Sequence, residues 1–233
     1  MNKKIVVFSG AGMSAESGIK TFRDSDGLWE NYNIQDVATP KAWEENPDLV
    51  SEFYNQRRKQ IIQAVPNAAH YAIADLEKQA DVQIITQNID DLHERAGSSR
   101  VLHLHGNIRY AKSSGPNQEK NYYRINGYKL TVKNLCPDGF RLRPHVVWFG
   151  EDVPMMEKAI GIVRAATHFI VIGSSLNVYP AANLTMYCSE NTQKWIIDPK
   201  AGEISNPNGF NEITQKAVEG VASVIKEIVT SIS

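Results

Sequence analysis

The sequence predicts an α/β protein built on a Rossmann-like, doubly wound parallel sheet. About six short apolar segments alternate with amphipathic helical segments along much of the chain, which is the pattern of such a sheet. A polar cluster follows each apolar segment directly. The clusters are residues 10–12, 87–90, 105–107, 149–151, 173–175 and 198–200. Since ligands bind outside the carboxyl ends of the strands in open α/β sheets, we expect these clusters to form one site.

The first predicted strand is residues 5–8, and it leads into a glycine-rich turn. Gly10, Gly12 and Ala15 fit the pattern G-x-G-x-x-G/A. In that pattern the first glycine permits a tight turn, the second lets backbone approach a pyrophosphate, and the small third residue lets a following helix pack on the strand. Glycine-rich turns between a strand and a helix also occur without a nucleotide, so this pattern alone leaves both interpretations open.

The remaining strands and helices follow from apolar runs and helical periodicity. Strands are predicted at residues 82–86, 101–104, 145–149, 168–172 and 194–197. Helices are predicted at residues 48–63, 67–79, 154–166, 180–189 and 216–229. Asn67 is expected to be the N-cap of its helix, and Pro47, Pro154 and Pro180 stand where the fixed φ of proline suits a helix start.

Two segments break the alternation and predict a smaller domain. Residues 24–65 are irregular and then helical, while residues 107–143 contain Ser113-Ser-Gly-Pro116, several tyrosines and many charges. We therefore predict one domain over residues 1–233, with a large Rossmann-like part and a smaller domain built from two insertions. The large part comprises residues 1–23, 66–106 and 144–233, and the insertions are residues 24–65 and 107–143.

The overall composition narrows the class of partner. The formal net charge of −1 argues against a general nucleic-acid binder. No apolar run reaches the roughly 18 residues that a membrane span needs. The apolar run near the N-terminus is too short for the core of a signal peptide, so the expected location is cytoplasmic. Cys136 and Cys188 allow at most one disulfide, which a reducing cytoplasm disfavours.

The polar clusters belong to longer motifs. These are Gly10-Ala-Gly-Met-Ser-Ala-Glu-Ser-Gly-Ile19, Thr21-Phe22-Arg23, Thr86-Gln-Asn-Ile-Asp90-Asp-Leu-His-Glu-Arg-Ala-Gly97, Leu104-His105-Gly106-Asn107, Phe149-Gly-Glu151 and Gly173-Ser-Ser-Leu-Asn-Val-Tyr-Pro-Ala181. In this order and at these spacings the motifs resemble the sirtuin family of NAD-dependent protein lysine deacylases. The resemblance runs from residue 5 to about residue 225 and fails chiefly in residues 109–143.

The resemblance implies NAD as a co-substrate and acylated lysine side chains of proteins as substrates. In that reaction the acyl oxygen attacks C1′ of the nicotinamide ribose, nicotinamide leaves, and the acyl group ends on ADP-ribose. Two alternatives use the same site. One is an NAD glycohydrolase or ADP-ribosyltransferase, and the other is a non-catalytic NAD-binding module, against which the presence of His105, Asn88 and Asp90 argues.

The resemblance implies that His105 and Asn88 are the catalytic residues. His105 matches the family's catalytic histidine, and a base with a pKa of about 6.5 suits removal of a proton from a ribose hydroxyl. Its alternative role is a strand-end histidine bonded to backbone. Asn88 and Asp90 match residues that hold the nicotinamide carboxamide and ribose, with an Asx turn as the alternative. His103 is interpreted as structural.

A larger set of residues is implied to bind NAD. Phe22 and Arg23 match the family's loop over the ribose, while Asp91 stands where many sirtuins carry glycine. Asp198 departs from the usual asparagine, and its carboxylate would repel a 2′-phosphate, so NAD is expected over NADP. The full set is Gly10, Ala11, Gly12, Ala15, Glu16, Thr21, Phe22, Arg23, Trp29, Gln87, Asn88, Ile89, Asp90, His105, Gly173, Ser174, Ser175, Asp198, Pro199, Lys200 and Ala217.

The substrate side resembles the bacterial class III type, which removes succinyl and malonyl groups. Tyr54 and Arg57 match the pair that receives acidic acyl groups, and Ala38 matches the small residue that widens the same pocket. A phenol and a guanidinium suit a carboxylate, although an arginine on a solvated helix face is the alternative. The acylated peptide is expected to meet the strand-end residues Val147, Trp148 and Phe149.

The second insertion departs from the family because it lacks the paired zinc cysteines. Residues 107–143 contain only Cys136, and one cysteine cannot supply a four-ligand zinc site of the usual kind. We therefore predict no zinc. The insertion is expected to be held together by packing of apolar and aromatic side chains. These are Tyr110, Tyr122, Tyr123, Tyr128, Leu130 and Val132.

Overall fold

A computed structural model of the chain describes residues 3–20, 32–204 and 209–230. Its strands are β1 (Lys4–Ser9), β2 (Asp81–Thr86), β3 (Val101–His103), β4 (Gly106–Ser113), β5 (Tyr122–Arg124), β6 (Leu142–Val146), β7 (His168–Ile172), β8 (Gln193–Ile197) and β9 (Asn211–Ile213). Its α-helices are α1 (Gly12–Ala15), α2 (Ile34–Val37), α3 (Pro40–Glu45), α4 (Pro47–Gln63), α5 (Ala68–Leu76), α6 (Leu92–Arg95), α7 (Met156–Arg164) and α8 (Ala217–Thr230). Short 3₁₀ helices cover Ala181–Tyr187 and Ala201–Glu203.

The main sheet has six strands in the order β3-β2-β1-β7-β8-β9. All neighbouring strands in it run parallel. The chain leaves β1 for one side of the sheet and later returns to the other side through β7. This reversal of strand order is the topological switch point beside which doubly wound folds bind their ligands. The predicted Rossmann-like fold class is confirmed.

Helices cover both faces of this sheet because its central strands are apolar on both sides. Along β1, Ile5 and Val7 face the core under α5 and α8, while Val6 and Phe8 face the core under α7 and the first 3₁₀ helix. Asn67 caps α5 as predicted, and its side chain accepts hydrogen bonds from the first turn. The helix after the glycine-rich turn, by contrast, is a single turn.

A second, antiparallel sheet has the order β5-β4-β6, and it corrects one predicted strand. Residues 145–149 are expected in the main sheet, but residues 142–146 instead form β6 and pair with β4. The sixth strand of the main sheet is β9, which is short and polar and therefore carried no apolar signal. Residues 144–146, predicted in the large part, thus belong to the small sheet.

The two insertions pack on each other through buried hydrogen bonds from α4. Asn55 Nδ2 donates to the Leu130 carbonyl at 2.9 Å, and the Leu130 amide donates back to Asn55 Oδ1 at 2.8 Å. Arg58 donates to the carbonyls of Ile108 at 2.6 Å and Tyr128 at 2.7 Å. These bonds set the position of α4 relative to the antiparallel sheet.

The antiparallel sheet has a small apolar core of its own. Its buried members are Ala111, Ile125, Leu130, Cys136 and Leu142, with Tyr123 packed against them. The expectation of a tyrosine-rich core is only partly met, since Tyr122 and Tyr128 are 38% and 46% exposed. Aliphatic side chains are cheaper to bury fully than a phenol, whose hydroxyl needs a partner.

Candidate active site

The polar strand ends meet around a cavity of about 290 Å³ at the switch point of the main sheet. Its wall contains twelve of the residues implied to bind NAD: Gly10, Ala11, Gly12, Gln87, Asn88, Ile89, Asp90, His105, Gly173, Ser174, Ser175 and Asp198. The same wall contains the implied substrate residues Ala38, Tyr54, Arg57, Val147, Trp148 and Phe149. Residues from the strand ends of the main sheet and from helix α4 therefore share one cavity.

Two backbone turns pack against each other at one end of the cavity. A Cβ on Gly10 would lie 2.7 Å from the Gly173 carbonyl oxygen, and a Cβ on Gly12 would lie 2.6 Å from Gly173 Cα. The Gly12 amide donates to the Gly173 carbonyl at 2.9 Å. Glycine is thus required at these positions because the turns after β1 and β7 lie in contact. The resulting wall of bare backbone suits a pyrophosphate.

Asn88 and Asp90 are held side by side by Ser14. Asn88 Nδ2 donates to the Gly10 carbonyl at 3.0 Å and lies 3.3 Å from Ser14 Oγ. The Ser14 hydroxyl donates to Asp90 Oδ2 at 3.0 Å, and the Leu92 amide donates to Oδ1 at 3.1 Å. Burial raises the pKa of the Asp90 carboxyl, and these two bonds oppose the rise. The bond to Leu92 is an Asx turn, so the two interpretations of Asp90 coexist.

His105 is oriented by the backbone of the neighbouring strand end. Its Nδ1 lies 3.0 Å from the Gln87 carbonyl oxygen. Because a carbonyl only accepts, Nδ1 carries the hydrogen and Nε2 of the neutral ring keeps its lone pair. Burial lowers the pKa of His105, and the bond to Gln87 opposes the fall. The ring is therefore neutral near pH 7, and Nε2 can take a proton.

The far end of the cavity is built on α4. Tyr54 and Arg57 lie almost one turn apart on this helix and are 0% and 5% exposed. Burial raises the pKa of Tyr54, opposed by the Trp148 hydrogen bond and by the charge of Arg57. The phenol is therefore protonated across the physiological range. Since Arg57 is buried in the cavity wall, it does not lie on a solvated helix face.

Trp148, at this end of the cavity, is held by contacts to its ring nitrogen, its ring face and its backbone amide. Its Nε1 donates to the Tyr54 hydroxyl oxygen at 3.0 Å. The Arg143 guanidinium lies 3.4 Å from the ring centroid and pairs with Glu151 at 2.6 and 2.9 Å. Glu151 Oε2 also accepts from the Trp148 amide at 2.8 Å. The indole is 2% exposed, whereas Phe149 is 47% exposed and available to a ligand from outside.

Several residues implied to bind NAD lie outside the cavity wall. They are Ala15, Glu16, Pro199, Lys200 and Ala217. Glu16 accepts from the Val218 amide at 2.9 Å in the first turn of α8, where a carboxylate suits the free amides of the helix. Ala217 is 5% exposed in the core under the sheet. Thr21, Phe22, Arg23 and Trp29 lie outside the described residues.

The cavity wall also contains residues that the sequence analysis missed. Ser14 and Ile61 are among them. The sequence carried a signal for both, because Ser14 lies within the glycine pattern, between Gly12 and Ala15, and Ile61 is four residues after Arg57 on one helix face. Arg143 carried none, since an arginine in a strand of an insertion has no motif around it. Only the structure shows that Arg143 stacks on Trp148 and so helps to hold this ring in place.

The described residues hold no evident metal centre. Within residues 3–20, 32–204 and 209–230, no three His, Cys, Asp or Glu side chains are grouped so that they could bind a metal ion. Cys136 Sγ lies 3.6 Å from Ser113 Oγ instead. Over the same residues, no helix combines the length and the apolar character needed to cross a membrane.

The chain is similar to known proteins over most of its length. The model of the Sir2 family matches residues 10–180. An NAD-dependent protein deacylase of Helicobacter pylori is 47% identical over 228 residues, which are 97% of this chain and 98% of that protein. A protein of the same description from Bacteroides thetaiotaomicron is 46% identical over 222 residues, covering 94% of this chain and 95% of that protein.

Solved structures of Sir2 homologues share the fold. A complex of one with NAD matches with a TM-score of 0.86 at 36% identity, covering 100% of this chain and 91% of the other. A mutant homologue with ADP-ribose matches with a TM-score of 0.87 at 35% identity, covering 99% and 94%. The likeness in fold therefore extends through both insertions, including the one where the sequence resemblance fails.

Proposed function

This chain belongs to the Sir2 family and is an NAD-dependent protein deacylase, and we propose that it removes succinyl and malonyl as well as acetyl groups from lysine. The proposed products are nicotinamide and O-acyl-ADP-ribose. The observation that carries the acidic-acyl preference is the burial of Tyr54 and Arg57 in the wall that also contains His105 and Asn88.

The residues of the cavity suit the co-substrate. Bound NAD supplies the ribose carbon that accepts the acyl oxygen and the nicotinamide that leaves. The bare backbone at Gly10, Gly12 and Gly173 admits a pyrophosphate, because any Cβ there would strike the facing turn. Asn88 and Asp90 present a polar edge for the nicotinamide carboxamide and its ribose. His105 Nε2 accepts the proton of a ribose hydroxyl as general base.

The other end of the cavity suits an acyl group with a terminal carboxylate. Because Trp148 donates to the Tyr54 oxygen, the Tyr54 hydroxyl keeps its own hydrogen for a different acceptor. The Arg57 guanidinium supplies the opposite charge, and charge-assisted hydrogen bonds of this kind are about twice as strong as neutral ones. Ala38, with its short side chain, leaves room for the longer acyl group.

The proposal is tested by mass spectrometry of products from NAD and peptides carrying acetyl-, succinyl- or malonyl-lysine. We expect Arg57→Met to lower desuccinylation far more than deacetylation, by about tenfold or more relative to it. Lys59→Met, an exposed change on the same helix, is the matched control. Equal loss on both substrates would contradict the role of Arg57.

The same assay separates the deacylase from the other chemistry of an NAD-cleaving site. A deacylase releases nicotinamide only when an acylated peptide is present. Release at the same rate without the peptide would instead indicate an NAD glycohydrolase, and ADP-ribose attached to protein would indicate an ADP-ribosyltransferase. Comparable binding of NAD and NADP in calorimetry would contradict the selectivity proposed for Asp198.

A further inference from the structure

The backbone of Asn88 is held at its carbonyl by His103 directly and at its amide by a chain of side chains that ends at His93. Its carbonyl oxygen lies 3.1 Å from His103 Nδ1. Its amide donates to Thr86 Oγ1 at 3.1 Å. Thr86 Oγ1 also bonds to the Ser9 hydroxyl, which in turn bonds to His93 Nε2. The side-chain bonds of Asn88 to the turn after β1 would not fix its orientation if the peptide groups on either side could rotate.

The contacts of His103 require a charged ring. Its Nδ1 faces the Asn88 carbonyl, and its Nε2 lies 2.7 Å from Glu94 Oε1. A carbonyl and a carboxylate both accept only, so both ring nitrogens carry hydrogen and the ring is an imidazolium. Asn107 Nδ2, at 3.3 Å from Nε2, is a more distant neighbour. Burial lowers the pKa of His103, but the bond to Glu94 and its charge outweigh burial and raise it.

The contacts of His93 require a hydrogen on Nε2, and burial of the ring keeps it neutral. The Ser9 hydroxyl donates to Thr86 Oγ1 at 2.9 Å, so its oxygen accepts from His93 Nε2 at 3.0 Å. His93 is 2% exposed and its ring centroid lies 4.9 Å from that of His70. Burial lowers the pKa of both rings, that of His70 to about 4. A second charge next to His103 is thereby avoided.

One helical turn carries both supports. His93 and Glu94 are successive residues of α6, and they reach opposite ends of the Asn88 backbone through Ser9 and Thr86 and through His103. Arg95, the next residue, donates to the Ile61 and Ala64 carbonyls at 3.0 and 2.5 Å at the end of α4. The turn therefore joins the loop at Asn88 to the helix that carries Tyr54 and Arg57.

We propose that His103 and His93 are positioning residues that fix the two ends of the Asn88 backbone, His103 as an imidazolium and His93 as a neutral donor. The inference rests on the proposed function, in which Asn88 meets the nicotinamide end of NAD. Loss of either contact would let Asn88 turn away. A displacement of about 1 Å at such a residue can cost a hundredfold in rate.

The two supports of Asn88 give the enzyme an alkaline limit set by His103. The carboxylates of Glu94 and Asp90 are the charged groups that act on His103. The other titratable side chains near it are His93, His145 and Glu119. Because the pKa of His103 is raised, the ring is charged at low pH and loses one proton as the pH rises through that pKa. The Glu94 carboxylate holds the remaining hydrogen on Nε2, so the bond that is lost is the one from Nδ1 to the Asn88 carbonyl. The pKa of His105 is lowered, so the base is active above it. The pH profile of kcat/KM for NAD is therefore bell-shaped, with His103 on the alkaline side.

The test measures kcat/KM for NAD against pH, from about 5.5 to 9.5, with an acetyl-lysine peptide. Glu94→Gln should move the alkaline limb to lower pH and leave the acid limb of His105 in place. His103→Asn keeps a donor near the Asn88 carbonyl and cannot titrate, so it should remove the alkaline limb and cost less than about tenfold in rate. Glu52→Gln, an exposed change on α4, is the control and should leave both limbs as in the wild type.

His93 has its own pair of variants. His93→Gln places an amide N–H about where Nε2 lies and should retain activity within about tenfold, whereas His93→Leu should lose more than this. Circular dichroism and thermal melting identify variants that fail to fold. If the histidine variants do not fold, the role of His103 is decided by Glu94→Gln, which we expect to fold because the Glu94 side chain is 38% exposed. An unchanged alkaline limb in Glu94→Gln would overturn the proposal for His103. Equal activity of the two His93 variants would overturn it for His93. Absence of acyl-dependent nicotinamide release in the wild type would instead overturn the proposed function.

Discussion

At the scale of single residues, close backbone packing decides which side chains the cavity tolerates. Gly12 and Gly173 approach each other so closely that neither accepts a methyl group without movement of a turn. The sequence pattern includes Gly12 and gives a different reason for it, the approach of a pyrophosphate. A sequence shows that a residue must be small, but the facing turn lies far along the chain and is known only from the structure.

We expect Gly12→Ala to destabilise the fold by about 1–3 kcal/mol and to weaken NAD binding, because the new Cβ forces the two turns apart. Denaturant unfolding and calorimetry with NAD measure the two effects. Gly161→Ala is the matched control, since nothing lies within 4 Å of a Cβ at that position of α7. It should stabilise the helix by up to about 1 kcal/mol. Equal unfolding midpoints for both variants would argue against packing between the turns.

The strand-end residues were predictable because their types have few other uses at such positions. His105 and Asn88 lie in the cavity wall as expected. The supports behind them were not predictable in the same way. His103 was interpreted as structural from its spacing alone, and its contact with the Asn88 carbonyl depends on how β2 and β3 pair in register. The apolar pattern of β3 fixes which of its faces is buried, but it does not identify the residue of β2 that lies opposite His103.

At the scale of elements, α4 links the two insertions, and Asn55 carries much of that link. We expect Asn55→Ala to lower the free energy of unfolding by about 2–3 kcal/mol, because the amide and carbonyl of Leu130 both lose a buried partner. Urea unfolding measures the loss. Gln56→Ala, whose exposed side chain bonds only within the helix to Glu52, should change stability by less than about 0.5 kcal/mol. Similar losses from both would show that the buried bonds between Asn55 and Leu130 contribute no more to stability than an exposed contact on the helix.

The antiparallel sheet is expected to fold without a metal. Its apolar core includes Leu130 and the thiol-bearing Cys136, which is 5% exposed. We therefore predict that elemental analysis of purified protein finds less than stoichiometric zinc and that EDTA leaves the melting temperature unchanged. A fall in melting temperature with EDTA, restored by added zinc, would refute this.

Elements with a strong apolar pattern were predicted well, and weakly patterned ones were not. The central strands β1, β2, β7 and β8 follow the expected ranges closely because their residues are buried on both faces. The strand β9 has three mostly exposed residues and no pattern to detect. The expected helix at residues 180–189 is a 3₁₀ helix, Ala181–Tyr187, which periodicity over a short window does not distinguish from an α-helix.

At the scale of the whole molecule, buried neutral histidines make stability depend on pH. Burial lowers the pKa of His70 from 6.5 to about 4, and that of His93 falls well below its ordinary value. The unfolded chain therefore binds protons that the folded chain does not between these pH values. The contribution of His70 to the free energy of unfolding is fully present above pH 6.5. It is lost as the pH falls toward 4, and the loss amounts to about 3 kcal/mol.

This dependence is measured by urea unfolding of the wild type and of His70→Gln at several pH values. Carboxylates contribute to acid unfolding in both proteins, so the difference between them isolates His70. We expect the variant to be less stable at pH 7 and to lose less stability on acidification. Parallel curves for the two proteins would show that His70 titrates in the folded state as it does in the unfolded chain.

The position of β1 in the sheet has a consequence for synthesis. β1 pairs with β2 along one edge. Along its other edge it pairs with β7, which follows more than 150 residues later in the chain. Until the ribosome has released residues 168–172, the apolar strand β1 presents unpaired amides and carbonyls along that edge. A nascent chain of this topology therefore exposes an edge that can pair with another copy of itself before β7 has been made.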